Sequence, residues 1–164
     1  LIKLTDPKTS PFKHAKRNYL KACTLFQMKK YRRAHFALRD TVLLDYDKGG
    51  WNAAVRVLNI MNQIGWGGLN KPTEAFIDSL NVHFTALRKY EQTHPRAACI
   101  QKLLRRLMKN NFDFSETLPQ VEATLNQLRS NEAGMEWQPG TAELIRFDAW
   151  FMEMVEEEVV ILKD

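Results

Sequence analysis

Hydrophobic residues recur along most of this chain every three or four positions, the spacing that gathers side chains on one face of an α-helix. The separation is cleanest in Pro95–Asn111, where apolar and basic residues occupy different faces. The apolar face holds Ile100, Leu103, Leu104, Leu107 and Met108, and the basic face holds Lys102, Arg105, Arg106 and Lys109. We predict an amphipathic helix that packs its apolar face into a core and turns four cations outward.

Periodicity and capping residues predict six further helices. Serine and threonine suit N-caps, proline suits the first helical position, and paired glycines suit a helix end. The predicted helices begin at Pro11 after Ser10, at Lys29 (ending at Gly49), at Trp51 (ending at Ile64), at Pro72 (ending near Gln92), at Ser115 and at Thr141. The helix from Trp51 is the most apolar of the first half, so we expect it at the centre of the packing.

Three glycines surround a tryptophan directly after that helix. Gly65, Gly67 and Gly68 are expected to end it, because glycine weakens a helix. Trp66 is then expected to close the following loop as a hydrophobic plug; stacking of a nucleic-acid base on its ring is the alternative.

The segment LIKLT at positions 1–5 alternates enough to predict a short strand, which needs a partner. Val159–Leu162 or the same strand of a second subunit could supply one. We therefore predict a mainly α, single-domain bundle of about seven helices, with an N-terminal strand able to form a ribbon in a dimer. Within it, residues 1–130 form a basic helical body, 131–140 a hinge or loop, and 141–164 an acidic, apolar C-terminal helix.

The net charge of +5 hides a strong asymmetry along the chain. Residues 1–110 contain 21 Lys+Arg against 7 Asp+Glu, a net charge of +14, whereas residues 111–164 contain 3 against 12, a net charge of −9. Either the acidic end folds back on the basic body as an internal counter-charge, or the body faces a polyanion and the acidic end faces elsewhere.

Basic residues also cluster on the first two predicted helices. Those of the second crowd its beginning, where the helix dipole disfavours cations by a few tenths of a kcal/mol each. An anionic partner would account for that placement, and we predict contacts with the phosphates of double-stranded DNA, with RNA as a further candidate. The predicted nucleic-acid-binding residues are Lys102, Arg105, Arg106, Lys109, Lys13, Lys16, Arg17, Lys21, Arg32 and Arg33.

The last predicted helix is apolar over much of its circumference, which suits either a core position or an oligomer interface. As an interface it would use Phe147, Trp150, Phe151 and Met154 and would form a homodimer. A helical protein-interaction module without nucleic-acid binding is therefore the alternative function.

Catalytic and metal-binding patterns are sparse. The four histidines have no ligand spacing, and the absence of GxxxxGK[ST] and GxGxxG loops excludes a P-loop nucleotide hydrolase, so we predict no metal, no cofactor and no enzyme. Cys23 and Cys99 lie in apolar stripes and are expected to be free, buried thiols. No membrane span or signal peptide is apparent, so we expect a cytoplasmic protein.

Two local patterns resemble known families. Arg88 and His94, six positions apart, are similar to the catalytic motif of the HEPN ribonucleases, in which the arginine would stabilise the scissile phosphate. Phe36-Ala37-Leu38-Arg39, Asp45-Tyr46-Asp47 and Trp51 together resemble segments of helical proteins encoded on conjugative plasmids and integrative conjugative elements. The second resemblance, over about a tenth of the chain, implies a dimeric DNA-binding transcriptional regulator or accessory factor of a bacterial mobile element. We take this as the leading expectation.

Overall fold

The structure, a computed structural model, describes residues 11–41, 50–67, 74–88, 94–130, 132–138 and 141–161. Seven helices and no strand occur in these ranges, which confirms the mainly α class. They are α1 (Pro11–Gln27), α2 (Tyr31–Arg39), α3 (Trp51–Gly67), α4 (Glu74–Leu87), α5 (Pro95–Lys109), α6 (Phe114–Arg129) and α7 (Phe147–Ile161). The strand predicted at positions 1–5 lies outside the described residues. None of the described helices has the length and hydrophobicity to cross a bilayer.

Helices α1 and α2 form a hairpin, and the helix predicted from Lys29 to Gly49 is shorter at both ends. Lys29 adopts a left-handed conformation (φ 55°) in the connecting turn, so α2 begins only at Tyr31. It ends at Arg39, where Asn18 of α1 donates its side-chain N–H to the backbone carbonyl of Asp40 at 3.0 Å. A side chain of the neighbouring helix thus satisfies a carbonyl at the helix end.

Helix α3 lies at the centre, in contact with α1, α2, α4 and α5, as its apolar sequence predicted. The predicted end at Ile64 is wrong, because the helix continues through Gly65 to Gly67. A Cβ atom at Gly65 would lie 2.6 Å from Cε1 of Tyr31. The glycine therefore permits close packing between α2 and α3 rather than ending α3.

Helices α5, α6 and α7 pack in succession. The predicted apolar face of α5 is buried apart from the partly buried Met108, and Leu103, Leu104 and Leu107 have no exposed surface. The aromatic rings of Phe114, Phe147 and Phe151 meet between α6 and α7 and are also fully buried. These contacts form one hydrophobic core that continues from α3 to α7.

The beginning of α6 differs from the prediction, because Asp113 rather than Ser115 is the N-cap. The Asp113 carboxylate accepts from the backbone N–H of Glu116 at 2.6 Å. A second carboxylate, that of Glu158 in α7, accepts from the N–H groups of Phe114 at 3.4 Å and Ser115 at 2.7 Å. Glu158 is buried, so a residue 43 positions later in the chain satisfies donors at the start of α6.

The last helix begins at Phe147, six residues after the predicted N-cap at Thr141. The intervening residues are held by side chains of other segments: Tyr19 donates to the carbonyl of Ala142 at 2.7 Å, and the Trp137 indole donates to that of Glu143 at 2.7 Å. Residues 132–138 form turns and loop, and a hinge at 131–140 stays a prediction. Val159–Leu162 was predicted as a possible strand partner for positions 1–5. That prediction is wrong for residues 159–161, because they belong to α7.

Candidate nucleic-acid interface

The basic face of α5 lies opposite its buried apolar face. Lys102, Arg106 and Lys109 are exposed, whereas Arg105 is partly buried and interacts with another group. Because the helix is fixed on its other side by the core, the cations have a defined direction. The sequence prediction of two separate faces on this helix is confirmed.

The other predicted cations are also exposed, and they lie on the α1–α2 hairpin. Helix α3 contacts both this hairpin and α5, and the ten residues are divided between those two parts of the fold. Apart from Arg105, none of the ten forms an ion pair with a carboxylate that the structure describes. The exposed residues of the hairpin group are Lys13, Lys16, Arg17, Lys21, Arg32 and Arg33.

The acidic end does fold back on the body, but it pairs with different cations. Lys29, in the α1–α2 turn, donates to the carboxylate of Glu157 and lies 3.7 Å from that of Glu153, both in α7. The hydrogen bond to Glu157, only partly offset by desolvation, raises the pKa of Lys29. The remaining pairs gather around Arg96.

Arg96 is the most extensively bonded side chain of the described residues, and all five of its N–H donors are used. Nε and Nη2 donate to Glu143 at 2.5 and 2.9 Å, Nη1 donates to the carbonyls of Leu128 and Met135 at 2.6 and 2.7 Å, and Nη2 also donates to Asp148 at 3.2 Å. Burial alone would lower the pKa of Arg96, but the hydrogen bonds and charges of the two carboxylates raise it. Arg96 therefore joins α5 to α6, to the 132–138 loop and to α7 as a saturated structural contact.

Asp148 serves three arginines. Besides Arg96, its carboxylate contacts Arg146 at 2.6 Å and Arg129 at 3.7 Å, and its own side chain is 3% exposed. Four carboxylates of the acidic end, those of Glu143, Asp148, Glu153 and Glu157, are thus engaged by Lys29, Arg96, Arg129 and Arg146. Arg105 aside, the predicted DNA-contacting cations form no ion pair with the carboxylates in the described ranges.

A groove of about 450 Å³ runs between α5 and α6 beside the basic face. Lys102 and Arg105 line it together with Thr124 and Gln127 of α6. Cys99 lies at its base, where its thiol donates to the carbonyl of Thr124 at 3.6 Å. Burial raises the pKa of Cys99, so this thiol stays protonated at neutral pH and is not a reactive group. The groove thus combines cations with neutral hydrogen-bonding side chains.

The residues predicted as an oligomer interface face the core of this chain. Phe147 and Phe151 have no exposed surface, and Trp150 and Met154 are 4% and 7% exposed. The core interpretation of this apolar helix therefore accounts for them. A dimer formed through these four residues would require α7 to leave the core. The homodimer therefore stays a prediction, and these residues do not provide an exposed surface for it.

The residues considered for catalysis are not brought into a described site. Arg88 follows α4 and His94 precedes α5, and residues 89–93 between them lie outside the described part of the chain. No group of three or more histidine, cysteine or acidic side chains in the described ranges could hold a metal ion. Both cysteines are free and buried, as predicted.

No protein-family model, no curated protein and no solved structure matches this chain. The function must therefore be argued from the residues themselves. Sequence periodicity found the exposed cations but not Arg96, because its carboxylate partners Glu143 and Asp148 are 47 and 52 positions away. The negative charge of residues 111–164 suggested that some cations of the body would be paired. It does not indicate which cations these are.

Proposed function

We propose that this protein binds double-stranded DNA through the phosphate backbone, as a transcriptional regulator or accessory factor of a bacterial mobile element. The observation that supports DNA binding is the distribution of counter-charges. Exposed cations on α5 and on the α1–α2 hairpin form no ion pair with the carboxylates that the structure describes, although twelve acidic residues follow position 110. A surface of Lys and Arg without described carboxylate partners, on helices fixed by a core, suits a polyanion. The link to a mobile element rests on the sequence resemblance alone.

The groove between α5 and α6 supports a more specific role. Phosphate contacts by Lys102 and Arg106 would position the protein, and the side chains of Gln127 and Thr124 offer donors and acceptors for base edges. In this arrangement α5 would follow the backbone while α6 approaches a groove of the duplex. The α1–α2 hairpin would contact a second stretch of the backbone.

The test is the salt dependence of binding to a random-sequence duplex, measured by fluorescence anisotropy between ~50 and ~200 mM salt. Several phosphate contacts should make affinity fall by orders of magnitude over this range. Lys102→Gln, Arg106→Gln and Lys109→Gln should each reduce the slope of log K against log salt by up to about 0.9. Lys29→Gln removes the same charge from a cation that α7 already pairs, so its slope should stay near that of the wild type.

Two results would contradict the proposal. Wild-type protein that fails to bind at ~50 mM salt has no such surface, and a triple variant with an unchanged slope would remove α5 from the contact. Circular dichroism of each variant would establish that the helices remain.

One observation favours the alternative function, a protein-interaction module. Val160 and Val159 are 60% and 37% exposed near the end of α7, beside the exposed Glu156. An acidic surface with exposed valines could contact a basic helical partner. Loss of partner binding in Val160→Asp with DNA binding intact would assign the two functions to different surfaces.

A further inference from the structure

Two partly buried arginines in this fold have opposite surroundings. Arg96 uses all five donors, three of them to carboxylates and two to backbone carbonyls of other segments. Arg56, in α3, forms no ion pair with any described carboxylate, and its buried Nε has no hydrogen-bond partner. Removing a guanidinium from water without an acceptor costs free energy, so an acceptor outside the chain would stabilise it.

Two basic side chains share the surroundings of Arg56. Among the described residues, the charges that act on His83 of α4 are those of Arg56 and His35 of α2. The Nδ1 atoms of His35 and His83 are buried and lack hydrogen-bond partners. Three basic side chains from three helices are therefore near enough to interact electrostatically, and each has a buried nitrogen without a hydrogen-bond partner, an arrangement that suits an oxyanion.

An exposed aromatic ring adjoins this group. Trp66 is 48% exposed, the largest value for any aromatic side chain in the described ranges, and its ring centroid lies 5.4 Å from that of His35. Sequence analysis predicted Trp66 as a plug, which is wrong, because it lies in α3 with half its surface in water. Phe36 is 45% exposed on α2, and the guanidinium of Arg39 lies 5.4 Å above its ring.

We infer that this surface of α2, α3 and α4 binds an unpaired nucleotide of a single-stranded nucleic acid, with the base on Trp66 and a phosphate beside Arg56 and His83. Aromatic rings stack on bases of any sequence, and cations beside them neutralise the backbone. An apolar partner helix would match Trp66 and Phe36 but would leave Arg56 and both imidazoles without an acceptor. Charge complementarity therefore favours the nucleic acid.

This inference goes beyond duplex binding, because it uses different side chains from the rows on α5 and the hairpin. A duplex keeps its bases stacked inside, so Trp66 would contribute to single-stranded ligands only. The two proposals can therefore fail separately. A protein with both surfaces could hold a duplex next to a melted or nicked strand.

Intrinsic fluorescence provides a direct readout of stacking. Trp51 and Trp150 are buried, and Trp137 is partly buried with its indole N–H bonded to Glu143, so Trp66 is the ring most open to a ligand. Titration with single-stranded oligothymidylate should quench the fluorescence of the wild-type protein. Trp66→Leu should remove that quenching and weaken oligothymidylate binding about 5- to 100-fold, with duplex affinity unchanged.

Matched variants separate stacking from a general loss of hydrophobic surface. Phe12→Leu changes another exposed aromatic residue, 43% exposed on α1 and in contact with Trp51, and should leave oligothymidylate binding unchanged. Trp66→Phe should retain most of the affinity. Arg56→Gln should weaken binding and reduce the salt slope by about 0.7, the value for one phosphate of a single strand.

A phosphate at this site should also change the titration of His83. Burial, and then the charges of Arg56 and His35, lower the pKa of His83 to about 4, and a bound phosphate should raise it. Proton NMR with and without oligothymidylate measures that change. The inference is overturned if Trp66→Leu binds oligothymidylate as tightly as the wild type, or if the histidine resonances do not respond. If the protein binds oligothymidylate as expected but does not bind duplex DNA, only the function proposed above is contradicted.

Discussion

The guanidinium of Arg96 and the carboxylate of Glu143 form a bidentate ion pair, in which Nε donates to Oε2 and Nη2 donates to Oε1. Their side chains are 11% and 15% exposed. Glu143 also accepts from the backbone N–H of Phe147 at 3.1 Å, at the first residue of α7. One carboxylate therefore neutralises a buried cation and satisfies a donor at a helix start.

Replacing Arg96 with Ala should strongly destabilise the fold, because Glu143 and the 3% exposed Asp148 would lose a buried cation. We expect a loss of about 3 to 5 kcal/mol in the free energy of unfolding, measured by urea denaturation. Lys29→Ala breaks an exposed ion pair with Glu157 and should cost less than about 1 kcal/mol. Similar losses in both variants would contradict the structural role of Arg96.

Replacing Gly65 with Ala should destabilise the protein although alanine favours helices by about 1 kcal/mol. The new Cβ would lie 2.6 and 2.7 Å from Cε1 and Cζ of Tyr31, and relief of that overlap should cost about 1 to 3 kcal/mol. Tyr31→Leu alone should also destabilise, since its ring packs on Phe26. The double variant should lose less than the two single losses together in urea denaturation. Additive losses would show that the two residues are not in contact.

Stability should fall between pH 7 and pH 5 because of His83. Its pKa is lowered from 6.5 to about 4 in the folded chain, by burial first and then by Arg56 and His35. Below pH 6.5 the unfolded chain binds a proton that the folded chain does not accept until pH approaches 4, so protonation favours unfolding. Allowing for partial exposure, the loss at pH 5 is about 1 to 2 kcal/mol.

Urea denaturation at the two pH values measures this effect. His83→Gln, which cannot titrate, should lose about 1 to 2 kcal/mol less than the wild type between pH 7 and pH 5. Equal pH dependence in the two proteins would mean that His83 titrates near its ordinary value.

Periodicity predicted the helical class, the central position of α3 and the two faces of α5, because these depend on which residues are apolar over short distances. It did not predict contacts between distant segments. Gly65 was expected to end a helix, yet it accommodates Tyr31, which is 34 positions earlier in the chain. Likewise Glu143 was expected inside the last helix. It instead precedes α7, which begins at Phe147, and it pairs with Arg96.

The same limit applies to the candidate sites. The exposed cations follow from spacing alone, because they need only a buried opposite face. The group formed by Arg56, His35 and His83 requires the packing of three helices, and its residues have no common spacing in the sequence. Trp66 carried a local signal, but only its exposure distinguishes a stacking surface from a plug.

The long sequence separation around Arg96 has a consequence for synthesis. A ribosome adds about 5 to 20 residues per second, so roughly 3 to 10 seconds pass between incorporation of Arg96 and that of Asp148. Until Glu143 is added, Arg96 has neither of its carboxylate partners, and the basic residues 1–110 are accompanied by only part of the acidic segment that follows them. The contacts that hold the start of α7 against α5 can therefore form only after residues 143–148 have been synthesised, so the last helix docks late on a body whose other helices already exist.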